Sequence, residues 1–121
     1  MATILLADDD AAMRDLIRRA LEGEGHTVIA AEDGTEALEL LLAKAGAVNL
    51  LISDIDMPGL NGIELAGKAI ASAPAIRLIL MSGLTSGFAG TDQLKPHLRQ
   101  MLSKPFSLDS LRLAVKSALA A

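Results

Sequence analysis

The chain has 121 residues, 51% of them apolar, and a formal charge of −4. That is the size of one compact domain with a real core, and the acidic balance argues against a nucleic-acid or acidic-membrane partner. It has no cysteine and its only aromatics are Phe88 and Phe106, which excludes disulfides, thiolate metal sites and a stacking platform for bases.

No apolar run approaches the ~18 residues of a transmembrane helix. The opening Met1-Ala2-Thr3-Ile4-Leu5-Leu6 lacks the basic start of a signal peptide and reads instead as a first buried strand. A cytoplasmic location is the expectation. Ile4-Leu5-Leu6-Ala7 is apolar without alternation, as in a strand covered on both faces. Asp10 can then cap a helix from Ala11 to about Glu22, with Met13, Leu16, Ile17, Ala20 and Leu21 on one face. Arg14, Arg18 and Arg19 on this helix are interleaved with Asp15 and Glu22, which reads as a solvated face rather than a phosphate-backbone site. Gly23 and Gly25 end the helix.

Thr27-Val28-Ile29-Ala30 is a second strand, Asp33-Gly34 a turn and cap, and Thr35 to about Ala45 a second helix with Ala37, Leu38, Leu41 and Leu42 inward. Leu50-Leu51-Ile52-Ser53 is a third strand. Met57-Pro58-Gly59-Leu60-Asn61-Gly62 is a loop of turn residues, and Ile63 to about Ala71 a third helix closed by Pro74. Leu78-Ile79-Leu80-Met81 is a fourth strand. From Leu84 to Leu98, Gly87, Gly90 and Pro96 interrupt the pattern, so any fourth helix there is short. Met101-Leu102 suggests a short fifth strand. Ser107 caps a last helix with Leu108, Leu111, Val115 and Leu119 on its apolar side.

Five such βα units give a doubly wound α/β fold, a parallel sheet with helices on both faces. The strand order 2-1-3-4-5 is the common small solution and puts ligands at the carboxyl ends of the strands. Asp8, Asp9 and Asp10 follow the first strand, Asp54 and Asp56 the third, Ser82 the fourth and Lys104 the fifth. Four segments thus deliver polar groups to one sheet edge. Carboxylates this close repel, and a hard cation such as Mg²⁺ relieves that by taking about six oxygens at roughly 2.0–2.1 Å. Asp8, Asp9 and Asp54 can offer side-chain oxygens, Asp8 directly or through water, and Asp56 a backbone carbonyl. Such a site suits phosphoryl transfer onto the Asp54 carboxylate, with Lys104 and the Ser82 hydroxyl on the phosphoryl oxygens. Gly83 would let a backbone N–H approach closely. Singly these signals are weak: Asp10 alone is better read as a cap than a ligand, and Lys104-Pro105 alone as a turn, with a cis bond one option.

Together, in order, they resemble the receiver domain of two-component response regulators, the CheY-like family. Leu5-Leu6-Ala7-Asp8-Asp9-Asp10 is similar to the family's first strand and acidic pair. The segment Ser53-Asp54-Ile55-Asp56-Met57-Pro58-Gly59-Leu60-Asn61-Gly62 resembles its phosphoacceptor loop. Met81-Ser82-Gly83 and Ser103-Lys104-Pro105-Phe106 resemble its hydroxyl and lysine motifs. The likeness covers essentially the whole chain. It implies a flavodoxin-like three-layer sandwich, residues 1–121 as one receiver domain without an output domain, and Mg²⁺ as cofactor. Asp54 would accept a phosphoryl group from a phosphohistidine on a histidine kinase or histidine phosphotransfer protein, or from a small donor such as acetyl phosphate. The domain would catalyse its own transfer and slow hydrolysis rather than turn over a substrate. Neither His26 nor His97 reads as the donor, and both read as ordinary surface histidines.

Two departures bear on output. The family usually has Tyr or Phe three residues before the lysine; here Met101 stands there, either filling a gap as a flexible side chain or lying at the core edge. The weak Leu84–Leu98 stretch is expected to be the mobile, phosphorylation-sensitive surface. Met101, Gly83, Pro105 and Phe106 are the candidate switch and partner residues. Without an output domain the message passes to a protein partner. Among single-domain members the chain is similar to the CpdR-like regulators, which act as adaptors for a ClpXP-type protease. Leu119-Ala120-Ala121 resembles the small apolar tails such proteases recognise, although a fraying helix end is the plainer reading. A monomer or a weak dimer through the last helix is compatible with the sequence. The alternatives are a haloacid-dehalogenase-like phosphatase using Asp54 and Asp56, whose paired aspartates follow the first strand rather than the third, and a structural receiver that is never phosphorylated.

Overall fold

The structure, a computed structural model, describes residues 2–44, 46–83 and 90–120. Five parallel strands form one sheet: β1 (Thr3–Ala7), β2 (Thr27–Ala31), β3 (Leu50–Asp54), β4 (Arg77–Ser82) and β5 (Leu98–Ser103). Their order is β2-β1-β3-β4-β5, the doubly wound flavodoxin-like order expected. The helices are α1 (Ala11–Gly23), α2 (Gly34–Ala43), α3 (Gly62–Ser72) and α4 (Leu108–Leu119).

Strict alternation of side chains along each strand splits the core into two halves. Leu5, Leu51, Leu78 and Leu80 pack with Ala37 and Leu41 of α2 and Leu65, Ala66 and Ala69 of α3. Ile4, Leu6, Leu50, Ile52, Ile79 and Met81 face the other way, onto Ile17 and Leu21 of α1 and Leu111, Ala114 and Val115 of α4. The central strands are therefore apolar without interruption over residues 4–7, 50–52 and 78–81. Leu5 and Leu6 are fully buried, and each such side chain contributes about 2 kcal/mol.

The helices start where capping chemistry directs. Asp10 Oδ1 accepts from the Ala12 and Met13 N–H groups, Asp33 from Glu36 N–H, and Ser107 from Ser110 N–H. Asn61 and Glu64 form a reciprocal capping box at α3. Leu16 and Leu42, assigned inward by spacing, are instead 48% and 55% exposed. The apolar stripe on each helix is wider than the strip the sheet covers.

Between β4 and β5, where the sequence allows only a short fourth helix, the described residues hold one 3₁₀ turn, Asp92–Leu94. Residues 84–89 of the stretch expected to be mobile lie outside the described residues, as does Ala121 of the C-terminal tail. The fifth strand is also longer than Met101-Leu102. It is an edge strand with alternating half-buried and exposed positions, and its pairing with β4 shifts register between Leu78 and Ile79. Met101 is 48% exposed there, opposite Leu80, so it fills no core gap.

No helix among the described residues is long and apolar enough to cross a membrane.

Candidate functional site

Parallel strands put all their carboxyl ends at one edge. Asp54 and Ser82 are the last residues of β3 and β4, Asp8 follows β1 directly, and Lys104 follows β5 directly. The Lys104 N–H donates to the Ser82 carbonyl at 2.8 Å, which ties the last two loops together.

Asp54 is 5% exposed and Asp8 fully buried. Both Asp54 oxygens are engaged: Oδ1 accepts from the Asp56 N–H at 3.2 Å and Oδ2 from Lys104 Nζ at 2.9 Å. Asp8 Oδ1 accepts from the Asp10 N–H at 2.9 Å, and Oδ2 lies 3.4 Å from Lys104 Nζ. Asp9 is exposed, yet oxygens of Asp8, Asp9 and Asp54 can lie within 4.8 Å of one another.

Burial pushes the Asp8 carboxyl above the ordinary carboxylate range. The Asp54 charge adds to this, and the Asp10 N–H and Lys104 offset it only in part. Burial pulls the Lys104 ammonium down, but its hydrogen bond to Asp54 and the charges of Asp8 and Asp54 outweigh this and hold it above the usual lysine range.

Three carboxylates facing one ammonium leave an excess of two negative charges, partly out of water. A hard divalent cation with oxygen preference fits that donor set. The expected ligand positions of Asp8, Asp9 and Asp54 thus come together. The exposed Asp56 side chain accepts from Ser82 Oγ, through Oδ2, at 3.0 Å.

Asp10 is a helix cap, as its position suggested. Gly83 is exposed, and a Cβ there would meet only Lys104 Cβ at 3.9 Å, an ordinary contact. The Lys104-Pro105 bond is cis, and Phe106 packs on the α1/α4 half of the core. His26 and His97 are half-buried rather than plain surface residues. His26 Nδ1 accepts from the Ala2 N–H at 3.1 Å, and His97 Nδ1 lies 3.2 Å from the Ile76 carbonyl oxygen. Both precede strands, at the sheet edge opposite the carboxylates.

Two supporting residues escaped the sequence reading. Arg14 reaches back from α1 so that Nη1 donates to the Asp8 carbonyl at 2.8 Å. Gly62 begins α3 against the end of β3, its N–H on the Ile55 carbonyl at 3.0 Å. Nothing local marks Arg14 for this role, whereas the turn-rich loop before Gly62 did mark a constrained position.

The response regulator receiver domain family matches residues 4–116. The chain is 37% identical over 111 residues to the response regulator receiver protein CpdR of Brucella abortus, covering 92% of this chain and 91% of CpdR. It is 36% identical over 118 residues to the sensor kinase CckA of the same organism, covering 98% of this chain but 12% of the kinase. Among solved structures, the response regulator TrrA from Thermotoga maritima, in complex with Mg²⁺-BeF, superposes with a TM-score of 0.84 at 32% identity, covering 98% of this chain and 100% of that one. The chain belongs to the response regulator receiver domain family of two-component and phosphorelay signalling.

Proposed function

We propose that this receiver works as a phosphoryl-accepting switch with Asp54 as acceptor. The observation that carries this reading is the buried Asp54 carboxylate, 2.9 Å from Lys104 Nζ and beside Asp8 and Asp9. An Asp54 oxygen forms the new P–O bond while the P–N bond of a donor phosphohistidine breaks in line. The electron pair of that bond goes to the imidazole nitrogen, which becomes protonated, and the product is an acyl phosphate. With acetyl phosphate the P–O bond breaks instead and acetate leaves. Water later attacks the aspartyl phosphate and releases inorganic phosphate.

Asp8, Asp9 and Asp54 would hold Mg²⁺, with the Asp56 backbone carbonyl as a further donor. When bound, Mg²⁺ supplies neutralisation of the charge shared by acceptor and phosphoryl oxygens. Lys104 pairs with a second phosphoryl oxygen and Ser82 donates to a third. The product adds about −1.5 to −2 charge, which Lys104 and Ser82 are placed to sense. The donor is a histidine kinase or histidine phosphotransfer protein of the cytoplasm, and the output a downstream protein contact. The CpdR likeness makes a protease system the partner to test first. The phosphatase reading has no support from position, because Asp54 ends β3 and Asp56 follows it, rather than β1.

Incubation with acetyl phosphate and Mg²⁺, followed by intact-mass analysis, should give a phosphoryl adduct that Asp54→Ala abolishes. An adduct that survives Asp54→Ala, or its absence from the wild type, would overturn the assignment. Asp9→Ala should weaken Mg²⁺ binding by about tenfold or more, since it removes one of three charged donors. An unchanged Mg²⁺ titration removes Asp9 from the ligand set.

A further inference from the structure

We infer that the Asp56 side chain is a latch that holds the Ser82 hydroxyl away from the phosphoryl position and so sets the threshold of the switch. The inference rests on Asp54 being the acceptor, and adds a positioning residue that acts through Ser82 rather than on the phosphoryl group.

Ser82 is 1% exposed at the end of β4, while Asp56 lies 26 positions earlier in the loop after β3. Their side chains meet at 3.0 Å, Ser82 Oγ donating to Asp56 Oδ2. A hydroxyl carries one proton to donate. It cannot be given in full both to the Asp56 carboxylate and to a phosphoryl oxygen. A hydrogen bond to an ionised acceptor is among the stronger ones, so Asp56 is an effective competitor.

The backbone makes the competition local. The Asp56 N–H donates to Asp54 Oδ1 at 3.2 Å, so one residue contacts the acceptor through its main chain and the hydroxyl through its side chain. A phosphoryl group on Asp54 must draw the hydroxyl away from Asp56, and the loss of that hydrogen bond favours the unphosphorylated arrangement. Removing the side chain at position 56 then lowers the threshold and leaves the backbone carbonyl in place.

Beryllofluoride with Mg²⁺ is the probe, its affinity read by titration for wild type, Asp56→Ala, Ser82→Ala and the double variant. Asp56→Ala should bind about tenfold more tightly when Ser82 is present, the size of a lost competing hydrogen bond. In the Ser82→Ala background the same change should gain less than about twofold. Asp56→Asn, which keeps an acceptor oxygen without the charge, should fall between wild type and Asp56→Ala. An equal gain in both backgrounds assigns Asp56 to plain charge repulsion and overturns the latch; so does no gain in either.

A second measurement needs no adduct. In the free protein, Asp56→Ala should change the Ser82 side-chain rotamer couplings measured by NMR, and unchanged couplings overturn the latch. If the wild type takes no beryllofluoride, the acceptor reading fails and the latch falls with it; if the wild type binds and the couplings do not change, the latch alone fails.

Discussion

Replacing Gly62 by alanine is expected to lower stability by roughly 2 kcal/mol and to cut phosphoryl uptake at Asp54 by more than about tenfold. A Cβ at Gly62 would fall on the Asp54 carbonyl oxygen, and would stand 2.8 Å from Ile55 Cα and 2.9 Å from the Asp54 carbonyl carbon. These are backbone atoms at the end of β3, so no side chain can swing aside. Either α3 moves out, breaking the Gly62 N–H bond to the Ile55 carbonyl, or Asp54 shifts away from Lys104. Helix propensity works in the opposite direction, because alanine is favoured over glycine by about 1 kcal/mol within a helix. Gly67 measures that contribution alone: it is exposed in the same helix, and nothing lies within 4 Å of its virtual Cβ. Gly67→Ala should therefore stabilise by about 0.5–1 kcal/mol and leave uptake unchanged. Denaturant unfolding and acetyl-phosphate labelling of both variants check this. A Gly62→Ala protein as stable and as readily labelled as wild type would show that the contact is not a constraint.

The same loop marks how far the sequence could be read. Strands β1, β3 and β4 were plain because burial on both faces leaves runs such as Leu50-Leu51-Ile52 with no polar interruption. Once the sheet is parallel, the meeting of Asp8, Asp54, Ser82 and Lys104 follows from position alone, since each ends or follows a strand. Strand β5 was harder. As an edge strand it needs apolar residues at few positions, and Arg99, Gln100 and Ser103 mask it. The capping box of Asn61 and Glu64 is legible from its N-x-x-E spacing. The Ser82–Asp56 hydrogen bond had no such signal. It depends on how two loops 26 residues apart approach each other, which neither periodicity nor spacing encodes. The exposure of Met101 likewise depends on what covers an edge strand, not on the residue itself.

Lys104→Ala is expected to make stability strongly dependent on pH and on Mg²⁺. Its ammonium stands 2.9 Å from Asp54 and 3.4 Å from Asp8, and the Lys104 side chain is 22% exposed. Removing it leaves two buried carboxylates facing each other without a cation, at a cost of roughly 2–3 kcal/mol near neutral pH. The sign with pH follows from Asp8. Burial already raises its carboxyl above the ordinary range, and Lys104 is one of the groups opposing that rise, so the variant's Asp8 is raised further. A carboxyl raised on folding contributes stability that is fully present below its unfolded pKa and is lost as pH rises through the folded value. The variant should therefore approach wild-type stability at pH 4 and fall progressively behind as pH rises to 7.5. At one fixed Mg²⁺ concentration the variant should gain more stability than the wild type, because without the Lys104 ammonium its carboxylates bind the cation more tightly, and at pH 7.5 this should narrow the deficit. At pH 4 the same Mg²⁺ should do less, because the raised Asp8 carboxyl carries less of its charge as pH falls. Urea unfolding at the two pH values, with and without Mg²⁺, provides four stabilities for each protein. A deficit of equal size in all four conditions would mean that Lys104 contributes packing rather than charge, and that the site's excess negative charge does not govern its stability.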